Sequence, residues 1–153
     1  MVGDVILDTN LLILLVVGLA SPDYVGKHKR LGDYTADDFD LLSDILSRVA
    51  RIIVTPNILT ETSNLAVQIP EPARSHIAET FGAIVNGVDE RYVPSRQAAG
   101  RPEFARLGLS DAAVLEMADE DATLLTADQG LYLAALNSGR PAENFMYLRK
   151  VLL

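Results

Sequence analysis

The chain has no cysteine, no internal repeat and no low-complexity tract among its 153 residues. Without cysteine it can form neither a disulfide scaffold nor a thiolate metal site, and it cannot use a cysteine nucleophile. The apolar stretch over residues 11–20 is about half as long as a bilayer span needs to be. Residues 1–10 contain no Lys or Arg, so this stretch lacks the positive flank of a signal peptide. These absences predict that the stretch belongs to a buried helix, and they predict a cytoplasmic protein that makes no use of a membrane.

The chain also lacks an excess of positive charge, since its formal net charge is −8 and its pI is near 4.6. This balance argues against a dedicated nucleic-acid coat, because such proteins gain most of their affinity by neutralising phosphates. Basic residues nevertheless cluster locally, so the sequence is still compatible with a rim of basic residues that binds phosphate. The candidates for that rim are Lys27, Lys29, Arg30, Arg96, Arg101 and Arg106. Each of them fits ordinary surface charge equally well.

Hydrophobic residues make up 49% and charged residues 22% of the chain, which is typical of one globular domain, here covering residues 1–153. Strand-like apolar runs alternate with helical patterns, which predicts an α/β protein. The expected architecture is a single-domain, three-layer α/β/α fold around a central, mostly parallel sheet. The predicted strands cover residues 5–7, 51–55, 122–126 and 145–148. The predicted helices cover residues 10–18, 72–85, 111–119 and 129–138, with two more that open at residues 35 and 56.

Local signals sharpen this prediction at several positions. Thr35 and Asp38 have the spacing of a capping box, and Thr55 is placed to cap the helix that opens with Pro56. Residues 21–34 are expected to form a long loop, and residues 86–108 carry only weak structural signals. Three acids of the helix after Thr35 are expected on its solvated face: Asp37, Asp40 and Asp44. Both histidines, His28 and His76, are expected to be exposed to solvent.

Four acidic residues are placed where the predicted parallel strands end. Asp8 follows the strand at 5–7 and Asp128 follows the strand at 122–126. Glu61 lies early in the helix after the strand at 51–55, and Asp111 opens the helix at 111–119. The carboxyl ends of parallel strands meet at one edge of a sheet, where ligands of α/β proteins bind. An Asp after a strand is most often a helix cap or a turn former, so neither Asp8 nor Asp128 indicates a functional site when taken singly.

The positions of Glu61 and Asp111 on their helices favour a functional interpretation. Glu61 falls three residues after Ile58 and four before Leu65, so it is expected along the apolar face of its helix. A buried carboxylate without a partner costs several kcal/mol or shifts its pKa. Four carboxylates at one edge repel one another unless a cation lies between them. Oxygen ligands without cysteine or a well-placed histidine predict Mg²⁺ or Mn²⁺ in preference to Zn²⁺.

Three uncharged polar residues lie near these acids in the sequence or on the same helix face. Asn10 comes two residues after Asp8, Thr126 comes two residues before Asp128, and Asn64 is one helical turn beyond Glu61. Each is a candidate to hydrogen-bond a carboxylate and hold it in place. Each is equally well explained as a structural cap or a surface residue.

Four segments in this order resemble PIN domains: Asp8-Thr-Asn10, Thr55-Pro-Asn-Ile-Leu-Thr-Glu61, Leu109-Ser-Asp-Ala-Ala113 and Leu124-Leu-Thr-Ala-Asp-Gln-Gly-Leu131. PIN domains are metal-dependent nucleases that mostly act on RNA, and they include toxins of bacterial toxin–antitoxin pairs. The resemblance covers nearly the whole chain and implies an endoribonuclease. It places Asp8, Glu61, Asp111 and Asp128 at the family's acidic metal-site positions, and it implies an antitoxin as a partner. The chain departs from the family's compact pattern in its long segments 21–34 and 91–106.

Two other interpretations fit parts of the pattern. A phosphotransfer enzyme of the haloacid-dehalogenase type needs a second Asp two residues after the first, where this chain has Asn10, and a suitably placed Lys, which is missing. A non-catalytic PIN-like module that binds RNA or protein would keep the fold without the chemistry. The apolar content is also compatible with a homodimer.

Overall fold

A parallel five-stranded sheet forms the centre of the protein in the computed structural model, which describes residues 3–117 and 121–153. Its strands are β1 (Val5–Leu7), β2 (Ile52–Val54), β3 (Asp89–Glu90), β4 (Thr123–Thr126) and β5 (Ala142–Asn144). They lie in the order β3-β2-β1-β4-β5, and every neighbouring pair is parallel. The α-helices are α1 (Thr9–Ala20), α2 (Ala36–Leu46), α3 (Pro56–Ala66), α4 (Ala73–Val85), α5 (Ser95–Ala99), α6 (Phe104–Leu107), α7 (Leu109–Glu116), α8 (Gln129–Asn137) and α9 (Phe145–Leu152).

Helices cover both faces of this sheet. Helix α1 packs against α2, α3 and α4, whereas α7 packs against α5, α6 and α8. Parallel strands are joined by right-handed crossovers, so the chain places helices on one face while it moves from β1 to β3. It places them on the other face while it returns past β1 to β4 and β5. The predicted three-layer α/β/α fold is therefore confirmed, and the sheet is parallel throughout its described pairs.

Strand β1 and helix α1 form the centre of the core. Val5 and Leu7 are fully buried, and every residue of α1 except Asn10 and Leu19 is buried. The prediction that the apolar run over residues 11–20 belongs to a buried helix is confirmed, and this helix extends beyond the predicted bounds of 10–18 at both ends. No helix among residues 3–117 and 121–153 is both long and apolar enough to cross a membrane.

The close approach of α1 to α2 depends on Gly18. A Cβ atom placed on Gly18 would lie only 2.0 Å from Cδ1 of the Phe39 ring, far inside van der Waals contact. Phe39 belongs to the apolar stripe of α2, which also contains the buried Leu42 and Leu46. The glycine therefore lets the aromatic ring lie directly on the helix backbone.

The predicted helix caps are confirmed. Thr35 and Asp38 form a capping box, in which Asp38 Oδ2 accepts the Thr35 N–H at 2.8 Å. The Thr55 hydroxyl accepts the N–H of Ile58 at 3.1 Å, at the start of α3. Asp37, Asp40 and Asp44 are exposed, as expected. Asp38 itself is buried and pairs with Arg149 of α9 at 3.3 Å, so α2 and α9 are joined by this ion pair.

The strand predicted over residues 145–148 is wrong, because these residues begin helix α9. Asn144 ends β5 and caps α9, since its side chain accepts the N–H of Met146 at 2.9 Å. The last strand lies just before it, at Ala142–Asn144, and contains a single buried residue. A short apolar run is compatible with either element, and here the capping asparagine decides for the helix.

Two segments expected to lack regular structure contain some. Residues 21–34 include two 3₁₀ helices, Pro22–Lys27 and Lys29–Leu31, which bury Val25 and Leu31. Residues 86–108 contain β3, α5 and α6. Strand β3 has only two residues, both acidic, so it lacks the apolar pattern from which strands are predicted. In the helix predicted over 111–119, residues 118 and 119 lie outside the described residues.

Candidate metal centre at the carboxyl edge of the sheet

The order of the strands defines one point where a ligand is expected to bind. From β1 the chain moves outward to β2 and β3, and it then returns to place β4 on the other side of β1. In open α/β sheets, ligands bind beyond the carboxyl ends of the strands at such a switch point. Asp8 directly follows β1, and Asp128 comes two residues after β4. The switch point is therefore flanked by two carboxylates.

Asp8 is buried and held on both sides. Its Oδ1 accepts the N–H of Thr9 at 2.8 Å, which caps helix α1, and its Oδ2 accepts the Thr126 hydroxyl at 2.7 Å. Burial raises the pKa of the Asp8 carboxyl, and the nearby carboxylates of Asp128 and Glu61 raise it further. The two hydrogen bonds oppose this shift because they favour the ionised form. Asp8 is thus a fixed acceptor close to two other acids.

Thr126 connects the two strand ends. Its hydroxyl donates to Asp8 and accepts the backbone N–H of Asp128 at 3.0 Å. The expected hydrogen bond from Thr126 to a carboxylate is confirmed, although the acceptor is Asp8 on the neighbouring strand. Asn10 and Asn64 are both exposed, and neither hydrogen-bonds any of the four acids within the described residues. Their assignment as supporting residues stays a prediction.

Glu61 is exposed, which corrects the expectation that it lies along the apolar face of α3. The buried residues of this helix are Ile58, Leu59, Thr62 and Ala66, so the buried stripe passes through Thr62. The Glu61 carboxylate nevertheless turns toward the sheet edge, where its Oε1 accepts the hydroxyl of Thr9 at 3.2 Å. Glu61 therefore reaches the site from its rim.

Thr9 was not anticipated from the sequence, although it joins two of the acids. Its backbone N–H donates to Asp8 and its hydroxyl donates to Glu61. It is buried, so its hydrogen bond to Asp8 is shielded from water, whereas its hydrogen bond to the exposed Glu61 is only partly shielded. The only available signal was a hydroxyl residue directly after the strand-ending Asp8, and this signal also describes an ordinary helix start.

Asp111 lies in the first turn of α7, which begins after Gly108 at φ +90°. Only glycine adopts this backbone conformation without strain, so Gly108 sets the direction in which α7 starts. The Asp111 side chain is half-buried and has no hydrogen bond or ion pair to any described residue. Burial raises its pKa to about 7, together with the charges of Asp8, Asp128 and Glu61. It is a carboxyl group that is kept close to three others without a neutralising partner.

Asp128 caps helix α8, with its Oδ1 accepting the N–H of Leu131 at 2.9 Å. The residue is exposed, but its carboxylate is closely bordered on one side. A Cβ atom on Gly130 would lie 3.2 Å from Asp128 Oδ1 and 3.4 Å from Cδ2 of Leu107. Gly130 thus leaves the space that the Asp128 carboxylate occupies.

The four acids form one electrostatic unit. The charges of the other three acids raise the pKa of Asp111, and the charges of Asp128 and Glu61 raise the pKa of Asp8. Within residues 3–117 and 121–153, none of the four forms an ion pair with a Lys, Arg or His side chain. The donor set consists of carboxylate oxygens, which suit hard divalent cations. In the described part of the chain, however, no three His, Asp or Glu side chains are already arranged so that they could hold a metal ion.

The six predicted phosphate contacts belong to different segments of the chain. Lys27 and Lys29 are exposed, and Arg30 donates to Gln68 at 2.7 Å, beside the C-terminal end of α3. Arg96 and Arg106 are exposed on α5 and α6. Arg101 is ion-paired with Glu103 at 3.2 Å and with Glu116 at 3.0 Å, which ties it to the protein itself. The binding of phosphate by these six residues stays a prediction.

His28 is buried, so the prediction that it is exposed is wrong. Its Nδ1 accepts the N–H of Arg30 at 3.1 Å, and its Nε2 donates to the carbonyl oxygen of Ala66 at 2.8 Å. Burial lowers the pKa of the imidazole, which favours this neutral form. His28 therefore fastens the segment 21–34 to the end of α3 and is not available to a ligand. His76 is exposed, as expected.

No family model matches the chain, and a search of curated proteins finds no matching relative.

Proposed function

We propose that the protein is a metal-dependent endoribonuclease that hydrolyses RNA phosphodiesters with Mg²⁺ or Mn²⁺ held by Asp8, Glu61, Asp111 and Asp128. The observation that carries this proposal is Asp111, a half-buried carboxyl group with no partner among the described residues and with its pKa raised to about 7 by burial and by three other acids. Groups whose pKa is shifted in this way are characteristic of functional sites. The motifs that resemble PIN domains give the same four residues the same task.

In this proposal each residue has a defined role. Asp8 is fixed by Thr9 and Thr126 and supplies the central ligand, while Asp128 extends the donor set from the neighbouring strand. Glu61, steadied by the Thr9 hydroxyl, completes it from the rim and can accept a proton from the attacking water. A bound divalent cation lowers the pKa of a coordinated water and neutralises charge on the phosphate during the displacement. No side chain serves as a covalent nucleophile.

Single-stranded or looped RNA is the proposed substrate, because its backbone can bend into a recessed site. The test is cleavage of a single-stranded RNA with Mn²⁺ or Mg²⁺ by the wild-type protein and by Asp8→Asn and Asp111→Asn. We expect the wild type to cleave the RNA and the two variants not to cleave it. Excess chelator should abolish cleavage by the wild type. Asp40→Asn is the matched control, since Asp40 is an exposed acid of α2 and should leave the rate unchanged. Cleavage that survives both site substitutions, or persists without divalent metal, contradicts the proposal.

One observation favours a second candidate, a non-catalytic PIN-like module that binds RNA or protein. No three acidic or histidine side chains of the described residues are already placed around a common cation position. A module of this kind would bind single-stranded RNA without cutting it and would show no dependence on Mn²⁺. Calorimetric titration with Mn²⁺ separates the two candidates, because only the nuclease needs a cation at the four carboxylates.

An antitoxin partner and a homodimer belong to the same proposal. They are supported by large apolar side chains that are exposed on α8 and α9. These are Leu133, Leu136, Tyr147, Val151 and Leu152. Sedimentation analysis of the purified protein checks the homodimer, and a neighbouring small gene that encodes a DNA-binding protein would support the antitoxin.

A further inference from the structure

An open cleft of about 450 Å³ lies next to Glu61, between the N-terminal ends of α3 and α7. It is lined by Pro56, Asn57, Thr60, Glu61, Leu109 and Ser110. The first four belong to α3 and the last two to α7, so the cleft crosses the junction between the two helices. Its volume is in the range of roughly 300–1,000 Å³ that is usual for ligand pockets. The cleft is continuous with the candidate metal centre through Glu61, and Ser110 directly precedes Asp111.

Three uncharged polar side chains of this cleft have no partner within the described part of the chain. Asn57, Thr60 and Ser110 make no side-chain hydrogen bond to any described residue, and Asn57 and Ser110 are half-buried. A half-buried amide or hydroxyl without a partner is available to a ligand at little cost. Together they offer an amide, which both donates and accepts, and two hydroxyl groups.

The chemistry of the lining selects the occupant. It contains no Lys, Arg or His, and its one charged member is the carboxylate of Glu61. A phosphate would therefore be repelled. Pro56 and Leu109 supply apolar surface, and the polar side chains supply neutral donors and acceptors. A flat, neutral heteroaromatic ring with donors and acceptors at its edge satisfies both, and this description fits a nucleobase.

We propose that this cleft binds one nucleobase of the RNA strand next to the scissile phosphate, and that Asn57 is its principal specificity-determining residue. The inference rests on the proposed function, since it makes the cleft a subsite of the nuclease. The Asn57 amide contacts the hydrogen-bonding edge of the base, while Thr60 and Ser110 complete the selection. One position of the cleaved sequence is thereby chosen by base identity.

Binding is tested first, by NMR titration of the chelator-treated, ¹⁵N-labelled protein with the four ribonucleosides. Nucleosides carry no phosphate, so the carboxylates do not repel them and no metal is needed. We expect one nucleoside to shift the Asn57 side-chain NH₂ signal and the backbone signals of the first turns of α3 and α7. In Asn57→Ala the affinity should fall at least about fivefold, consistent with the loss of a two-bond contact to a base. Asn137→Ala, an exposed asparagine at the far end of α8, should bind like the wild type.

Cleavage is tested second, by mapping the ends that the protein with Mn²⁺ produces from a random-sequence RNA. We expect a preference at one position beside the cut, reduced about tenfold by Asn57→Ala and unchanged by Asn137→Ala. Thr60→Ala and Ser110→Ala test the same cleft and serve if Asn57→Ala does not fold. Nucleoside binding at the cleft without RNA cleavage would sustain the base-binding site, but it would refute the nuclease and with it the place of that site beside a scissile phosphate. Cleavage with the same sequence preference in all three variants, and no nucleoside shift at the cleft, would overturn it.

Discussion

Replacing Asp111 by Asn should make the metal-free protein more stable. The Asp111 carboxyl has its pKa raised from 3.8 to about 7, chiefly by burial and then by the charges of three other acids. Because the folded pKa lies above the unfolded one, the folded protein holds this proton more tightly. The protonated Asp111 carboxyl therefore contributes stability that is fully present below the unfolded pKa and is lost as the pH rises through the folded pKa of about 7. Above neutrality the ionised carboxylate is a net cost that the neutral amide of the Asp111→Asn variant does not carry.

The size of the effect follows from the shift. One pKa unit corresponds to about 1.4 kcal/mol, so roughly three units give an upper value of about 4 kcal/mol. The carboxyl is partly exposed and solvent screens its neighbours, so we expect about 2 kcal/mol for Asp111→Asn above neutrality. This corresponds to a rise in Tm of about 4–8 °C for a domain of this size. Well below the unfolded pKa, where the carboxyl is protonated in both states, the two proteins should be equally stable.

Urea unfolding of the chelator-treated proteins, followed by circular dichroism over a series of pH values, measures this difference. The wild type should lose stability between the two pKa values of Asp111, and the variant should show a flatter profile. Asp40→Asn removes an exposed acid and should follow the wild type. Equal stability of Asp111→Asn and wild type above neutrality would refute the reasoning, because the carboxylate would then carry no cost.

Three further predictions concern the same structure. Millimolar Mn²⁺ or Mg²⁺ should raise the Tm of the wild type, because a cation that binds only the folded protein stabilises it by about 2.7 kcal/mol at a hundredfold excess over Kd. A thermal scan that shows no shift in Tm contradicts this prediction. Thr126→Val removes the hydroxyl that Asp8 accepts at 2.7 Å and should cost about 1–3 kcal/mol in urea unfolding. Thr123→Val, in the same strand but without a side-chain hydrogen bond to any described residue, should cost little. Gly18→Ala should destabilise the protein by about 1–3 kcal/mol because its Cβ meets the Phe39 ring, and an unchanged unfolding midpoint would show that α2 can move aside.

The central strands could be predicted from the sequence because burial on both faces leaves a continuous apolar run. Strands β1, β2 and β4 have this form, and their predicted bounds agree with the observed ones to within about two residues. Strands β3 and β5 lie at the edges of the sheet and consist of Asp89–Glu90 and Ala142–Asn144. Their residues are mostly polar, so pairing with a neighbour, which no local pattern records, is what makes them strands.

The part of the site that lies at the carboxyl ends of the strands could be predicted from the sequence. Asp8 and Thr126 belong to the strand ends themselves, and the sheet brings them to within a hydrogen bond. The orientation of Glu61 was not predictable, because the helical period allows either Glu61 or Thr62 to face the core. The structure buries Thr62 and exposes Glu61, since α3 turns its Thr62 side toward the interior. Thr9 was missed because its two hydrogen bonds depend on how α3 approaches the start of α1.

The four acids do not support the metal centre equally. Asp8 and Asp128 cap α1 and α8, so the folding of those helices already explains a carboxylate at each position. Asp111 neither caps a helix nor pairs with a described residue, and its charge is disfavoured by its surroundings. A residue that costs stability where a neutral one would not is best explained by what it binds. Asp8→Asn therefore confounds folding with function, whereas Asp111→Asn separates them: an unchanged or higher Tm together with lost cleavage assigns the carboxylate to the reaction.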